Sequence, residues 1–415
     1  MERRAATPGR LRSVIGGLPP TFWTLWIGTL INRLGSVVLP FLAIYVTDKL
    51  SFTAAQAGTV AAANGLGAMI AGPLGGALAD RLGRRTAMIG GLTVGGATML
   101  GLGFCRGPRE VIAVAFLLGV TGELYRPAFF AAVADVVPPA DRPRAYGLLY
   151  WVLNVGFAIA LPVAGLLSVS SPRLLFVIDA GSTFAFAFAM WRYLPETLPP
   201  RPPGTAARRS SVSLALAPLR DPVFLALQVP FFATAIVLMQ SQMALSIDLT
   251  SRGLSPEVFG MLLSFNGLLI VIAQPIILPA VTRAPRRIAL AAGALLVGVG
   301  FGLHTLSASV PLAVVAVAVW TAGDMAQQSV IPAAIADIAP RALRASYEGA
   351  SFMVWGLAGC VAPALGGQLL AHHGGDTLWL LCAGVGSAAA AGYLLVRTVS
   401  QARIAVPSVG PEGEP

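Results

Sequence analysis

The sequence predicts an all-α membrane protein: twelve transmembrane helices in two pseudo-symmetric six-helix bundles. Three observations carry that prediction. A twenty-two-residue stretch recurs 202 positions later with no gap. Asn64-Gly65-Leu66, Ile70-Ala71, Pro73, Arg81 and Arg84-Arg85 return as Asn266-Gly267-Leu268, Ile272-Ala273, Pro275, Arg283 and Arg286-Arg287. The same offset relates Ala131-Ala132-x-Ala134-Asp135-x-x-Pro138 to Ala333-Ala334-x-Ala336-Asp337-x-x-Pro340. Composition is the second observation: 56% of residues are hydrophobic, 11% are charged, and mean hydropathy is +0.77, where a soluble domain carries about 25% charged residues. The third is that basic residues are sorted between alternate connections.

A hydrocarbon core of about 30 Å needs about 20 apolar residues at a helical rise of about 1.5 Å. The first apolar run, 22–46, meets that length, is too long for the apolar part of a cleavable signal, and holds Asn32-Arg33 at its middle. Runs 54–79 and 86–104 follow. Gly72, Gly75 and Gly76 in one, and Gly90, Gly91, Gly95 and Gly96 in the other, permit close backbone approach between helices. Run 111–136 carries Glu123 and Arg126, 145–169 carries Tyr150-Trp151, and 174–194 carries Asp179. The second half repeats the order with 222–247, 257–281, 288–305, 310–337, 345–371 and 377–397. The domains are therefore 1–194 and 222–397, one bundle each. They are joined by a proline- and arginine-rich cytoplasmic linker at 195–221 and followed by a Pro/Gly/Ser-rich tail, 398–415, expected to be disordered.

With the N-terminus in the cytoplasm, inside segments collect twenty-one of the 28 basic residues. Outside segments hold five (Lys49, Arg106, Arg109, Arg173 and Arg252), while Arg33 and Arg126 fall within spans. That asymmetry predicts a multi-pass protein of the cell membrane with both termini cytoplasmic. Topology accounts for the net charge of +10, and no clustered basic face is left for nucleic acid. Cys105, Cys360 and Cys382 have no ligand spacing and read as buried, inert thiols. With His304, His372 and His373 they form no metal or nucleophile constellation, so no catalytic residue, metal ligand or cofactor is expected. The absence of a Gly-x-x-x-x-Gly-Lys-Ser/Thr loop argues against a nucleotide-driven pump.

Duplicated membrane halves place a substrate site between the copies. Residues 76–85 read Gly76-Ala77-Leu78-Ala79-Asp80-Arg81-Leu82-Gly83-Arg84-Arg85 and lie between spans two and three. They resemble the signature loop of the major facilitator superfamily, Gly-x-Leu-Ala-Asp-Arg-x-Gly-Arg-Arg/Lys. Twelve spans, the 6 + 6 duplication and the central linker extend the resemblance over nearly the whole chain. Gly76 permits a close helix crossing and Gly83 a tight turn. Asp80, at a helix end, can pair with a nearby arginine or with the N-terminus of a helix in the other half. The resemblance implies that this contact, with Arg81, Arg84 and Arg85 around it, latches the inner side shut. In the second copy Thr282 replaces Asp80 and Pro285 replaces Gly83, so the latch is expected to be asymmetric. The bland alternative is that the arginines only set topology.

An isolated charge at the bilayer centre costs at least about 2.5–3.5 kcal/mol, so Arg33, Glu123 and Arg126 must face a cavity or each other. Arg33 and Glu123 are expected to pair, with Glu123 exchanging a proton; a permanent structural pair is the alternative. Asp324 lies within one position of the repeat image of Glu123. No basic residue in the second half's spans neutralises it, which suits a proton or a cationic substrate. Asp135, Asp337 and Glu348 read as gate or helix-end partners. Substrate-binding candidates are Asn64, Asn266, Gln240 and Gln327, with Tyr150, Trp151, Trp320 and Trp355 lining an adaptable apolar pocket; packing explains each of them individually as well.

Drug/proton antiporters of the superfamily carry Gly-x-x-x-Gly-Pro-x-x-Gly-Gly in span five, of which this chain keeps Pro162-x-x-Gly165. The stretch Tyr125-Arg126-Pro127-Ala128, Ala134-Asp135 and Arg142-x-Arg144-Ala145-Tyr146-Gly147 is similar to that of multidrug-type bacterial members. The resemblance implies a monomeric, proton-coupled exporter of small amphipathic molecules or drugs, whose partners are a small-molecule substrate, protons and membrane lipid. The alternative is a proton-coupled uptake symporter for a small metabolite. A membrane enzyme would need clustered His, Asp or Cys chemistry that the sequence lacks.

Overall fold

The computed structural model describes residues 15–170, 172–200, 211–307 and 309–396. The N-terminal arginines (Arg3, Arg4, Arg10 and Arg12), linker residues 201–210 and the tail 398–415 lie outside the described residues. All regular structure among the described residues is helical. Among the described residues, ten helical segments are long and apolar enough to cross a membrane. Two features raise these to twelve crossings. The first span is divided into Pro20–Gly35 and Val38–Asp48, each too short alone. The last segment, Arg344–Leu395, is turned at Gly374, whose φ of 78° only glycine adopts without strain. That turn separates spans eleven and twelve.

The other boundaries follow local chemistry. Span two, Ala54–Leu82, opens on a capping box: Thr53 Oγ1 accepts from Gln56 N at 3.2 Å and Gln56 Oε1 from Thr53 N at 2.9 Å. Gly83, at φ 106°, ends it and starts span three, Arg84–Phe104. Span four is broken into Pro108–Glu123 and Arg126–Val136, with Leu124-Tyr125 between them. Spans five and six are Arg142–Ser170 and Pro172–Tyr193. The region read as a plain linker contains a short helix, Ser211–Leu216. Asp221 then caps span seven, Pro222–Met239, by accepting from Val223 N at 3.0 Å and Phe224 N at 3.4 Å, and it takes the Tyr347 hydroxyl at 2.7 Å. Span seven tightens into a 3₁₀ turn at Gln240–Gln242 before the short helix Ala244–Ser251. Spans eight, nine and ten are Pro256–Arg283, Arg286–Gly302 and Val310–Ile338.

Large apolar side chains cover the perimeter, among them Phe104 (79% exposed), Val229 (70%) and Ile276 (69%). Such a surface is favourable against lipid and costly in water. The core is continuous between the halves: the cluster around Phe22, Tyr146 and Phe186 takes in Leu278, Ala333 and Ala345 from the second half. Spans two and eleven cross at Gly72 and Gly349, where a Cβ on either would strike the other's carbonyl oxygen. Gly76 likewise lies against the Ala345 carbonyl. At the end of the molecule opposite the 76–85 loop, Arg252 binds Asp248 at 2.8 Å, Asp376 at 2.6 Å and the Thr305 carbonyl at 3.2 Å. Burial works against its charge, but the two carboxylates outweigh burial and hold the guanidinium above its ordinary value.

Candidate functional site

A cavity of about 580 Å³ lies at mid-depth, walled by the first six spans and by spans seven and eleven. Its charged lining is Arg33, Glu123, Arg126 and Asp179; the apolar walls include Met69, Met99, Phe157, Met239, Phe352 and Trp355. The expected pair between Arg33 and Glu123 is not formed. Glu123 binds Arg126 Nη1 at 2.6 Å instead. The break in span four explains this, because it leaves the two residues three positions apart on either side of Leu124-Tyr125, within local reach. Arg126 also stacks on Phe352 of the second half, at 4.8 Å to the ring centroid. Arg33 turns to the face of Phe157, at 5.5 Å, and donates from Nη2 to the Tyr125 hydroxyl at 3.4 Å. Asp179 accepts from Val37 N and Val38 N, both at 3.1 Å, and so caps the second piece of span one.

Asp324 does not line the cavity. It is buried where span ten meets span five, accepting from the Tyr150 hydroxyl at 2.5 Å and from Gln328 Nε2 at 3.1 Å. Of the substrate candidates, Asn64 and Trp355 reach the cavity wall. Asn64 Nδ2 donates to the Ala115 carbonyl at 3.1 Å, and Trp355 stacks on Phe231. The other six are turned elsewhere, each toward an internal partner. Tyr150 is held by Asp324, and Asn266 donates to Thr321 Oγ1 at 2.9 Å. Gln240 reaches the Ala362 carbonyl at 3.1 Å and Gln327 the Leu290 carbonyl at 3.4 Å. Trp151 donates across the halves to the Val271 carbonyl at 2.8 Å, and Trp320 stacks on Phe301. A buried polar group takes the nearest acceptor, and for these six that acceptor or stacking partner lies within the helix packing. Cys360 corrects the reading of inert thiols: it is exposed on the cavity wall, while Cys382 is buried. The signal for this wall was present at helical spacing in span eleven, in Phe352, Trp355-Gly356 and Gly359-Cys360.

The end of the molecule carrying the 76–85 loop is closed by charges. Asp80 accepts from Arg84 Nη1 and, in the other half, from Ala345 N at 3.2 Å and Ser346 N at 2.8 Å. These are the first amides of span eleven, where the helix dipole favours an anion. Gly83 sets the turn that lets Arg84 N and Arg85 N bind Glu196, at 2.8 and 3.2 Å. Arg84 is fully buried, Arg85 also donates to the Trp191 carbonyl, and Arg81 lies at the surface.

Beneath this lies an exchange for which the sequence reading named the acids, Asp135 and Asp337, as gate or helix-end partners but not the arginines that meet them. Arg344 of the second half binds Asp135 of the first at 2.5 Å, and Arg142 of the first binds Asp337 of the second at 2.6 Å. Arg84 Nη2 donates across to the Arg341 carbonyl at 2.9 Å, and Arg286 Nη2 to the Pro139 carbonyl at 2.7 Å. Each member of each pair is the other's image at the 202-residue offset. Arg286 also pairs with Asp337, as Arg84 does with Asp135. The closure is thus two-fold in its main pairs, whereas the Asp80 contact has no counterpart among the described residues of the second half. The offset that revealed the repeat could have revealed the exchange as well.

A sequence model of the Major Facilitator Superfamily matches residues 25–250 and 231–412. The MFS-type transporter YhjO of Bacillus subtilis, itself uncharacterised, is 23% identical over 360 residues, covering 85% of this chain and 87% of its own. A Na(+), Li(+), K(+)/H(+) antiporter of Planococcus maritimus is 26% identical over 358 residues, covering 79% and 84%. Among solved structures, the human organic anion transporter MFSD10 superposes with a TM-score of 0.74 over 90% of this chain and all of its own, at 16% identity, a likeness of fold.

Proposed function

The chain belongs to the major facilitator superfamily and is a multi-pass membrane transporter, and from that premise we propose that it exports small amphipathic molecules from the cell in exchange for protons. The two bundles rock about the mid-depth cavity, opening it to one side at a time. The observation that carries this reading is the closed seam. At one end the cavity is shut off by ion pairs between the halves, two of them mirrored at the 202-residue offset, laid over the close crossing of spans two and eleven; such pairs can exchange their partners for water as the halves part. The excess of basic residues assigns that end to the cytoplasm, with both termini there, and the protein works as a monomer.

Asp324 is the proton carrier in this scheme, ahead of Glu123. Glu123 has a standing partner in Arg126, 2.6 Å away, that can compensate its charge in either state. Asp324 has only hydroxyl and amide donors, the nearer one on the opposite half. Its charge is therefore tied to whether the halves are together. The antiporter from Planococcus maritimus supports exchange over symport.

The test is an inverted membrane vesicle with an acidified lumen and an acridine dye. Adding a transported amphiphile should release protons and restore dye fluorescence in vesicles bearing this protein, not in empty ones. If no lipophilic cation, antibiotic or organic acid releases protons, the export reading fails. If substrate instead accumulates in right-side-out vesicles with the proton gradient, the uptake reading replaces it.

A further inference from the structure

Arg33 is the cation of the cavity wall without an ion-pair partner among the described residues; Asp179 lies near enough to act on its charge but does not pair with it. Its Nε is buried with no acceptor, and its recorded hydrogen bond is the long one, 3.4 Å, to the Tyr125 hydroxyl. A guanidinium has five N–H donors, so most of its capacity is unspent. The two carboxylates that share the cavity spend their hydrogen bonds elsewhere. Glu123 binds Arg126, and Asp179 answers the N-terminus of the Val38–Asp48 helix through Val37 N and Val38 N. That helix end is itself a partial positive charge, so Asp179 stands against two positive neighbours. The repeat image of Arg33 is Ala235, buried in span seven. The second half folds with an apolar residue at this place, so the fold itself does not require an arginine there.

We propose that Arg33 is the anion-binding residue of the cavity, and that the substrate is an amphipathic organic acid carrying a carboxylate or sulfonate on an apolar body. The fork of the guanidinium matches two oxygens of such a group. Phe157 holds the fork from one face. Met69, Met99, Phe352 and Trp355 offer apolar wall for the body of the ligand. This inference rests on the transport reading for the cavity's being a substrate site, but not on the direction of transport or on proton coupling.

The test is equilibrium binding to the purified full-length protein, read by tryptophan fluorescence and by thermal shift, with no gradient present. The probes are medium-chain and aryl carboxylates and sulfonates, each beside its uncharged methyl ester and an amine of the same body. Wild type should bind the acids at least ~10-fold more tightly than their esters. In Arg33→Gln that ratio should fall to about one with ester affinity retained, and Arg33→Lys should keep part of it, because an ammonium cannot fork. Acids binding wild type no tighter than esters, amines preferred over acids, or an unchanged ratio in Arg33→Gln would each overturn the proposal. If Arg33→Gln fails to fold, Arg33→Lys carries the test, and an acid-to-ester ratio there unchanged from wild type would overturn the proposal. A chain that binds acids at Arg33 yet moves no protons would remove the exporter reading and leave this one standing.

Discussion

Tyr150 of span five donates its hydroxyl to the Asp324 carboxylate of span ten across the seam between the halves, at 2.5 Å. Apart from this bond, Asp324 is held by Gln328 of its own helix, and no cation pairs with it among the described residues. Parting spans five and ten therefore strips a buried acid of its cross-seam donor. The cost of that step depends on whether the acid carries a charge.

Asp324→Asn fixes the neutral state while keeping an oxygen for Tyr150. Proton-driven transport should fall at least ~10-fold, and gradient-free exchange of labelled for unlabelled substrate should persist. Tyr150→Phe removes one hydrogen bond, about 0.5–1.5 kcal/mol, and should slow transport only several-fold. Paired drive and exchange measurements in vesicles separate the two. If Asp324→Asn abolishes exchange as well, the residue is structural.

The mirrored pairs should behave alike. Asp135→Ala leaves Arg344 buried without its partner, and Asp337→Ala weakens Arg142 in the same way. Breaking a buried pair by removing one member costs about 3–5 kcal/mol. Each variant should open the seam, seen as faster reaction of a thiol placed at Ser346 with an impermeant maleimide applied from the cytoplasmic side. Labelling that stays slow in both single variants would remove these pairs from the latch.

The crossing of spans two and eleven tolerates no side chain. Gly72→Leu and Gly349→Leu should each destabilise the protein by about 1–3 kcal/mol, as overpacking does, read by thermal unfolding in detergent. Gly90→Ala adds a methyl where nothing lies within 4 Å and should leave the melting temperature unchanged or slightly raised.

Cys360 offers a direct view of the cavity. It should be alkylated readily by a small maleimide while buried Cys382 resists, and a bound amphiphile should slow the reaction. Protein mass spectrometry after timed exposure gives both rates. Indifference of Cys360 to every transported compound would place the transport path elsewhere.

The architecture was readable because duplication, run length and charge sorting each report on backbone placement. The 76–85 loop was readable because Gly83, at φ 106°, and Asp80, at a helix end, answer backbone requirements that leave few alternatives. Side-chain direction was the difficulty. Inside a membrane, the wall of an apolar cavity and the surface facing lipid have similar composition, so hydropathy does not say which way Gln240 or Trp320 points. Both turned out to serve packing. Arg33 and Glu123 looked like partners because nothing in a list of spans reveals that span four breaks at Leu124-Tyr125 and hands Glu123 a nearer arginine.

The reciprocal bonds at the closed end of the seam bear on how such a molecule arises. Two separate copies of a single ancestral half, docked about a rotation axis, would make the Asp135–Arg344 contact twice, once in each direction, as any isologous homodimer does. Adhesion between protomers could then precede their fusion into one gene, and the covalent join would add only a fixed stoichiometry. Thr282 and Pro285, where the first copy has Asp80 and Gly83, then record divergence that became tolerable once the partners could no longer separate.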